Sequence, residues 1–131
     1  MNFVLDSDIL IYFLKGRSEI VDKLTSCPID MLFTTRINYT ELLYGVYNSA
    51  KIEQNLSKIT DFLSTIPILE FDEKASLIFA QDKATLKRQG IMIADMDLMI
   101  ASITKAHQFA LVTHNHKHFE RIDNLSIERW I

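Results

Sequence analysis

The 131-residue sequence contains one cysteine, two prolines and three glycines. Cys27 cannot form an intramolecular disulfide, so the composition excludes a disulfide-stabilised fold and suits a reducing compartment. No apolar stretch approaches the ~20 residues that a membrane-spanning helix requires. The first residues include Asp6 and Asp8 and no basic leader, so we expect no secretory signal and a cytoplasmic location.

An excess of positive charge is also absent. The 14 lysines and arginines are outnumbered by 17 aspartates and glutamates, which gives a net charge of −3. A nucleic-acid-binding protein of this composition would need local basic patches and a bridging cation. The candidate basic residues are Lys15, Arg17, Lys87, Arg88, Lys117 and Arg121, with the alternating His114, His116 and His118. The lysines and arginines, and likewise the histidines, could equally be solvated surface residues. If the three histidines converged, they could instead form a zinc or nickel site.

Short apolar runs alternate with segments of helical spacing along the whole chain. The predicted strands span residues 3–5, 31–34, 68–71, 109–113 and 126–130. The predicted helices span residues 9–14, 18–27, 37–50, 52–66, 73–89 and 95–108, and residues 114–119 form a polar turn or short helix. This alternation predicts a single α/β domain over residues 1–131, with helices on both faces of a mainly parallel four- or five-stranded sheet.

Several acids lie where predicted strands end or predicted helices begin. Asp6 follows the first strand, and ligands of open α/β sheets bind outside the carboxyl ends of the strands. Glu41 lies among apolar residues in the first turns of a helix. Asp97 shares a face with the buried stripe of its helix, so it is the better site candidate, and Asp95 is the better N-cap. Each acid alone could instead be a cap or a partner of the helix dipole, and Asp8 is more readily a cap than a ligand.

The acids are more informative as a set. Two carboxylates ~5 Å apart repel each other by about 3 kcal/mol at an effective dielectric constant of ~20. A pocket with three of them is therefore costly unless one is protonated or a divalent cation binds. Mg²⁺ prefers a few carboxylate oxygens and water, and a bound Mg²⁺ or Mn²⁺ can activate water against a phosphodiester.

Four segments resemble the motifs of PIN-domain ribonucleases. Residues 5–11 (LDSDILI) are similar to the opening LDTNILI-type motif, and residues 38–45 (NYTELLYG) to the second motif. Residues 95–101 (DMDLMIA) resemble the third motif, residues 111–115 (LVTHN) with Phe119 the fourth, and residues 125–130 the usual ending. The most similar group is that of the VapC-type toxins of bacterial toxin–antitoxin pairs.

The resemblance implies a metal-dependent endoribonuclease, with tRNA as one candidate substrate. Asp6, Glu41 and Asp97 would hold Mg²⁺ or Mn²⁺, and Asn115 would orient a water or a ligand. The resemblance also implies a homodimer and a small antitoxin (VapB-type) that inhibits the toxin and binds operator DNA. Two positions depart from the family pattern. Asp8 stands where these toxins usually have asparagine, and Asn115 adds no charge where some PIN domains have an acid, which weakens the case for a second metal site.

Two other functions remain open from the sequence. Asp6 and Asp8 are similar to the nucleophile and acid–base pair of haloacid dehalogenase-type phosphatases, although Leu10 stands where that family favours threonine or valine. A non-catalytic PIN-like binding module is the second alternative. Tyr39, Tyr44 and Tyr47 could be core residues or a surface for a partner helix.

Overall fold

A five-stranded sheet forms the centre of the computed structural model, which describes all residues of the chain, Met1–Ile131. The strands are β1 (Phe3–Leu5), β2 (Leu32–Thr35), β3 (Ile68–Leu69), β4 (Ala110–Val112) and β5 (Ser126–Glu128). Their order is β3-β2-β1-β4-β5, and every neighbouring pair is parallel. The predicted parallel α/β architecture is therefore confirmed.

Seven helices connect or flank the strands. They are α1 (Ser7–Leu14), α2 (Ser18–Ser26), α3 (Arg36–Tyr47), α4 (Ile52–Leu63), α5 (Glu73–Arg88), α6 (Asp95–His107) and α7 (His116–Phe119), and a 3₁₀ turn covers Ile29–Met31. Every predicted helix and strand is present, with ends that differ by a few residues. None of the helices has both the length and the apolar character needed to cross a bilayer.

Apolar side chains form one core on each face of the sheet. In β1, Leu5 packs with α1 to α4, whereas Val4 points to the other side and packs with α5 and α6. In β4, Val112 packs in the same core as Leu5, and Leu111 packs in the same core as Val4. Because successive residues of a strand point to opposite faces, both strands are buried on both sides. The three-layer arrangement is therefore confirmed, and the fully buried Phe119 anchors α7 to the second core.

The start of α1 differs from the prediction. The helix begins at Ser7 rather than at residue 9, and Asp6 is its N-cap, with its carboxylate accepting the Ser7 N–H at 2.8 Å. Asp8 lies inside the first turn and accepts the backbone N–H of His114 instead. The predicted cap role of Asp8 is wrong because Asp6 already occupies that position.

The predicted cap role of Asp95 is also wrong. Ala94 has extended backbone angles and occupies the N-cap position of α6, and no side chain caps this helix. Asp95 is the first helical residue, and its carboxylate lies 2.8 Å from Lys83 Nζ of α5. The packing of α5 against α6 therefore gives Asp95 an ionic partner on the neighbouring helix.

The order of the strands determines where side chains can converge. The chain passes from β1 to β2 on one side and returns to β4 on the other side of β1. Parallel sheets leave a crevice at such a point, outside the carboxyl ends of the strands. Asp6 follows β1 and Thr113 follows β4, so both lie at this crevice.

Candidate active site

Asp6 is a buried carboxylate that the fold holds in one orientation. Only 6% of the surface of Asp6 is exposed to solvent. Oδ1 accepts the Ser7 N–H at 2.8 Å and the Asn38 Nδ2–H at 2.9 Å, and Oδ2 accepts the Thr113 hydroxyl at 2.7 Å. Three donors from three segments therefore fix Asp6 at the carboxyl end of β1.

A chain of hydrogen bonds links Asp6 to Glu41. The fully buried Asn38 also donates to Ser7 Oγ at 2.9 Å, and its own oxygen accepts the Thr35 hydroxyl at 2.7 Å. Ser7 Oγ in turn donates to Glu41 Oε1 at 2.7 Å. One turn of α3 thus carries both Asn38 and Glu41 into the crevice, since residues three apart share a helix face.

Ser7 and Asn38 are functional residues that the sequence motifs did not single out. A signal for Asn38 was present, because it is a polar residue on the same face of α3 as Glu41 and three positions before it. Ser7 offered only its place next to Asp6. Their hydrogen-bond partners are 31 to 34 residues away in the chain and depend on how α3 packs against α1.

Burial and neighbouring negative charges make these carboxylates hard to ionise. Burial, and then the charge of Asp8, raise the pKa of Asp6 to about 7 although the Thr113 and Ser7 bonds oppose the change. Burial also raises the pKa of Glu41, and the charges of Asp97 and Asp8 add to this against the Ser7 bond. In Asp8, burial raises the pKa more than the His114 N–H lowers it. Protonation or a bound cation is therefore favoured at this group of acids.

Asp97 completes the predicted trio from the first turn of α6. Its carboxylate is 22% exposed, and its charge acts on Glu41 across the crevice. Asp97 Oδ2 lies 3.6 Å from His118 Nδ1. The structure thus brings Asp6, Glu41 and Asp97 into one crevice, but no three acidic or histidine side chains already converge on one ion position. Asp6 and Glu41 are turned toward their hydrogen-bond donors instead.

The donor chemistry of the crevice fits a hard divalent cation. Asp8 Oδ1 is buried without a hydrogen-bond partner, while Oδ2 accepts the His114 N–H at 3.1 Å. The available ligands are carboxylate oxygens, which suit Mg²⁺ or Mn²⁺. A bound cation would give the buried Asp8 oxygen a partner. It would also offset the burial and repulsion that raise the pKa values of Asp6 and Glu41.

Asn115 stands at the edge of the crevice. Its backbone N–H donates to Thr113 Oγ1 at 3.0 Å, and the same hydroxyl donates to Asp6. The side chain of Asn115 is exposed and makes no hydrogen bond within the protein. Asn115 is thus connected to the site through its backbone, and a role for its amide in orienting a water or a ligand stays a prediction.

The three histidines do not form a metal cluster. The His114 ring packs edge-on against Tyr12 at 5.9 Å and against His116 at 6.2 Å. His118 lies beside Asp97 and the backbone of His114 contacts Asp8, but no group of three potential ligands is formed. The structure therefore gives no support to the zinc or nickel alternative.

Comparison with known proteins agrees with the resemblance seen in the motifs. A model of the PIN domain family matches residues 3–125. Ribonuclease VapC2 of Rickettsia felis is 35% identical, with 99% of this chain and 98% of that protein covered. The tRNA(fMet)-specific endonuclease VapC of Salmonella typhimurium is 30% identical, with 99% and 98% covered.

Solved structures give the same result for the fold. VapBC2 from Rickettsia felis, bound to a DNA fragment from its promoter, matches with a TM-score of 0.90, 34% identity and full coverage of both chains. DNA-bound VapBC from Salmonella typhimurium matches with a TM-score of 0.93 and 30% identity, covering 100% of this chain and 99% of that one. These findings do not favour the phosphatase. The chain therefore belongs to the PIN domain family, within the group of the VapC ribonucleases.

Proposed function

We propose that this chain is a metal-dependent endoribonuclease and the toxin of a toxin–antitoxin pair. The observation that carries the proposal is the crevice at the carboxyl ends of β1 and β4, where the charge of Glu41 acts on Asp6 and that of Asp97 on Glu41, in a member of the PIN domain family. RNA is the proposed substrate. The relatives in Salmonella typhimurium and Shigella flexneri are named tRNA(fMet)-specific endonucleases, so tRNA(fMet) is the first RNA to test.

In this proposal, Asp6, Glu41 and Asp97 hold Mg²⁺ or Mn²⁺. The ion, when bound, supplies charge stabilisation at the phosphodiester and an activated water. The protein supplies the positioning. Asn38 and Thr113 fix Asp6 by hydrogen bonds, and the single hydroxyl of Ser7 orients Glu41. Because metal ligands must be deprotonated, ion binding displaces the proton that the buried acids favour.

Asp8 adds to this site beside the three ligands that the resemblance implies. Its negative charge raises the pKa of both Asp6 and Glu41, so a bound cation would relieve more repulsion than it would without Asp8. Its Oδ2 holds the backbone of His114 at the end of β4. That contact fixes the loop in which Thr113 and Asn115 lie.

A VapB-type antitoxin is the proposed partner, docking an apolar helix on α3 beside the crevice. Tyr44 and Tyr47 are 71% and 60% exposed on this helix. Tyr39 is half-buried against the core under the Arg36 guanidinium, so it contributes less to the surface than predicted. A cavity of about 400 Å³ between α1, α3 and α4 opens next to Glu41. A helix bound there would cover the entrance to the acids.

We expect cleavage of RNA by the isolated protein to require Mg²⁺ or Mn²⁺. The protein is incubated with a tRNA(fMet) transcript and with an unstructured RNA, and the products are separated on denaturing gels. EDTA should stop the reaction and excess metal should restore it, because three neighbouring carboxylates cannot stabilise an anionic phosphodiester without a cation. Undiminished cleavage in EDTA would contradict the metal mechanism.

Asp97→Asn should abolish cleavage and leave the fold intact. The amide keeps the shape of the side chain but loses the charge that binds a hard cation. In thermal melts, Mg²⁺ at ~100 times its Kd should stabilise the parent by about 2.7 kcal/mol and hardly affect the variant. Asp61→Asn is the matched control, since Asp61 is an exposed acid of α4 in no ion pair.

This assignment of the third acid has a direct competitor. Asp95 is two residues earlier in the same helix and pairs with Lys83. If Asp95→Asn abolished cleavage and Asp97→Asn did not, the third ligand would be Asp95.

The stability of the metal-free protein should fall as pH rises through the acidic range. The pKa of Asp6 is about 7 in the folded protein and ~3.9 in an unfolded chain, so between these values the folded state binds more protons. The free energy of unfolding therefore decreases from about pH 4 to about pH 7, by about 4 kcal/mol at most for this group. Raised pKa values of Glu41 and Asp8 act in the same direction.

Asp6→Asn separates the contribution of Asp6 from the others. Melting temperatures are measured in EDTA at several pH values, for the parent and for the variant. The melting temperature of Asp6→Asn should fall less with rising pH than that of the parent. The melting temperature of Asp61→Asn should fall as much as that of the parent. Parallel pH profiles for the parent and Asp6→Asn would show that Asp6 ionises normally.

The antitoxin surface is tested by co-expression with the neighbouring gene of the native operon. Replacing Tyr44 and Tyr47 together by alanine should weaken the complex by ~10-fold or more, because exposed aromatic side chains dominate such interfaces. Ile29→Ala is the control, since Ile29 is 59% exposed but lies in the turn before β2. An unchanged complex with the double variant would place the antitoxin elsewhere.

A further inference from the structure

We propose that a second cavity, between α5 and α6, receives an unpaired base of the RNA substrate. The cavity has a volume of about 430 Å³, and aliphatic side chains form most of its wall. Leu86, Ile91, Ile93 and Leu98 supply that wall, and the charged side chains that line the cavity are those of Lys83, Lys87 and Asp95. The inference rests on the proposed ribonuclease function and adds a binding site outside the acidic crevice.

The cavity and the crevice lie on two sides of one helical turn. Asp95 and Leu98 of α6 line the cavity. Asp97 lies between them in the sequence and directs its charge toward Glu41 instead. An α-helix with its side chains is about 10–12 Å across. An RNA strand with a phosphate at Asp97 can therefore reach the cavity with a nucleotide close to the cleaved bond.

The connector between α5 and α6 leaves peptide groups free along the cavity. The backbone N–H groups of Met92, Ile93 and Ala94 make no hydrogen bond within the protein. No side chain caps α6, and Met92 is 83% exposed. Free peptide donors next to an apolar wall are what an unpaired base needs, because its face is apolar and its edge forms hydrogen bonds.

The charge at the edge of the cavity matches an RNA backbone. Lys83 is held by Asp95 at 2.8 Å, but Lys87, one turn further along the same face of α5, forms no ion pair. Arg88 follows it. Proteins that bind single-stranded nucleic acid combine basic groups along the backbone with surfaces on which bases stack. In a chain of net charge −3, an unpaired lysine beside an apolar cavity is a local feature that favours a polyanion.

A protein side chain is the competing occupant. An apolar side chain of a partner protein would fill the cavity and contact its wall. It would leave the Lys87 ammonium and the free peptide groups without partners. A nucleotide uses the wall, the free N–H groups and the lysine together. The combination of features therefore favours RNA over a protein.

The test measures binding rather than cleavage. Fluorescence anisotropy gives the Kd of the cleavage-inactive Asp97→Asn chain for a labelled single-stranded RNA of about 12 nucleotides, and for an abasic ribose-phosphate strand of the same length. Both strands carry the same phosphates, so their difference reports the bases. We expect the base-bearing strand to bind ~10-fold tighter or more, the range for stacking of a base.

Two substitutions separate base binding from phosphate binding. Ala94→Leu, which places a larger side chain at the cavity, should reduce the preference for the base-bearing strand to ~3-fold or less. Ala50→Leu, at another exposed alanine, should keep the preference. Lys87→Glu should weaken the binding of both strands by the same factor, and it should lower the slope of log Kd against log salt by about 1. Lys23→Glu, on α2, is its control.

Three results would overturn the inference. They are equal binding of the two strands, a base preference that survives Ala94→Leu, and loss of a co-purified protein partner in Ala94→Leu while RNA binding is unchanged. Because the test uses the Asp97→Asn chain, its failure leaves the proposed ribonuclease activity untouched. Conversely, absence of cleavage by the unsubstituted chain would overturn the proposed function and leave the binding result standing.

Discussion

The burial of the Asp6 carboxylate is the constraint on which the rest of the site depends. A carboxylate with 6% exposure is tolerated only where donors satisfy its oxygens. Those donors come from the start of α1, from α3 and from the end of β4. Only a sheet in which β1 lies between β2 and β4 brings these segments together. The site therefore depends on the strand order, because that order places the donors that a buried Asp6 requires.

The hydrogen bonds do not remove the electrostatic cost of the crevice. Asp6, Glu41 and Asp8 all have raised pKa values, and Asp97 adds a further charge. Two continuous apolar cores, one on each face of the sheet, supply stability that this acidic cluster does not. A fold stabilised elsewhere can keep such a cluster, and a divalent cation then relieves at once the repulsion and the orphaned oxygen of Asp8.

Sequence patterns predicted the elements and the parallel sheet, because these follow from local periodicity. The set of Asp6, Glu41 and Asp97 was implied by the resemblance to the motifs of PIN-domain ribonucleases, since periodicity alone does not bring a helical residue such as Glu41 to the end of β1. Sequence patterns did not predict the roles of Ser7 and Asn38, since hydrogen bonds over more than 30 residues depend on the packing of α1 against α3. Asp8 and Asp95 were wrongly predicted as caps. Any of several neighbouring residues can occupy an N-cap, and here Asp6 and Ala94 do so.

The first turn of α6 shows how a small offset in sequence separates two kinds of interaction. Asp95 and Asp97 are two residues apart, which turns their side chains about 200° from each other around the helix. Asp97 therefore faces the crevice with His118, whereas Asp95 faces α5 and neutralises Lys83. That neutralisation leaves Lys87 as the free cation beside the apolar cavity. Moving either acid by one position would disturb both sides of the turn, so the spacing of this motif is constrained by packing as well as by chemistry.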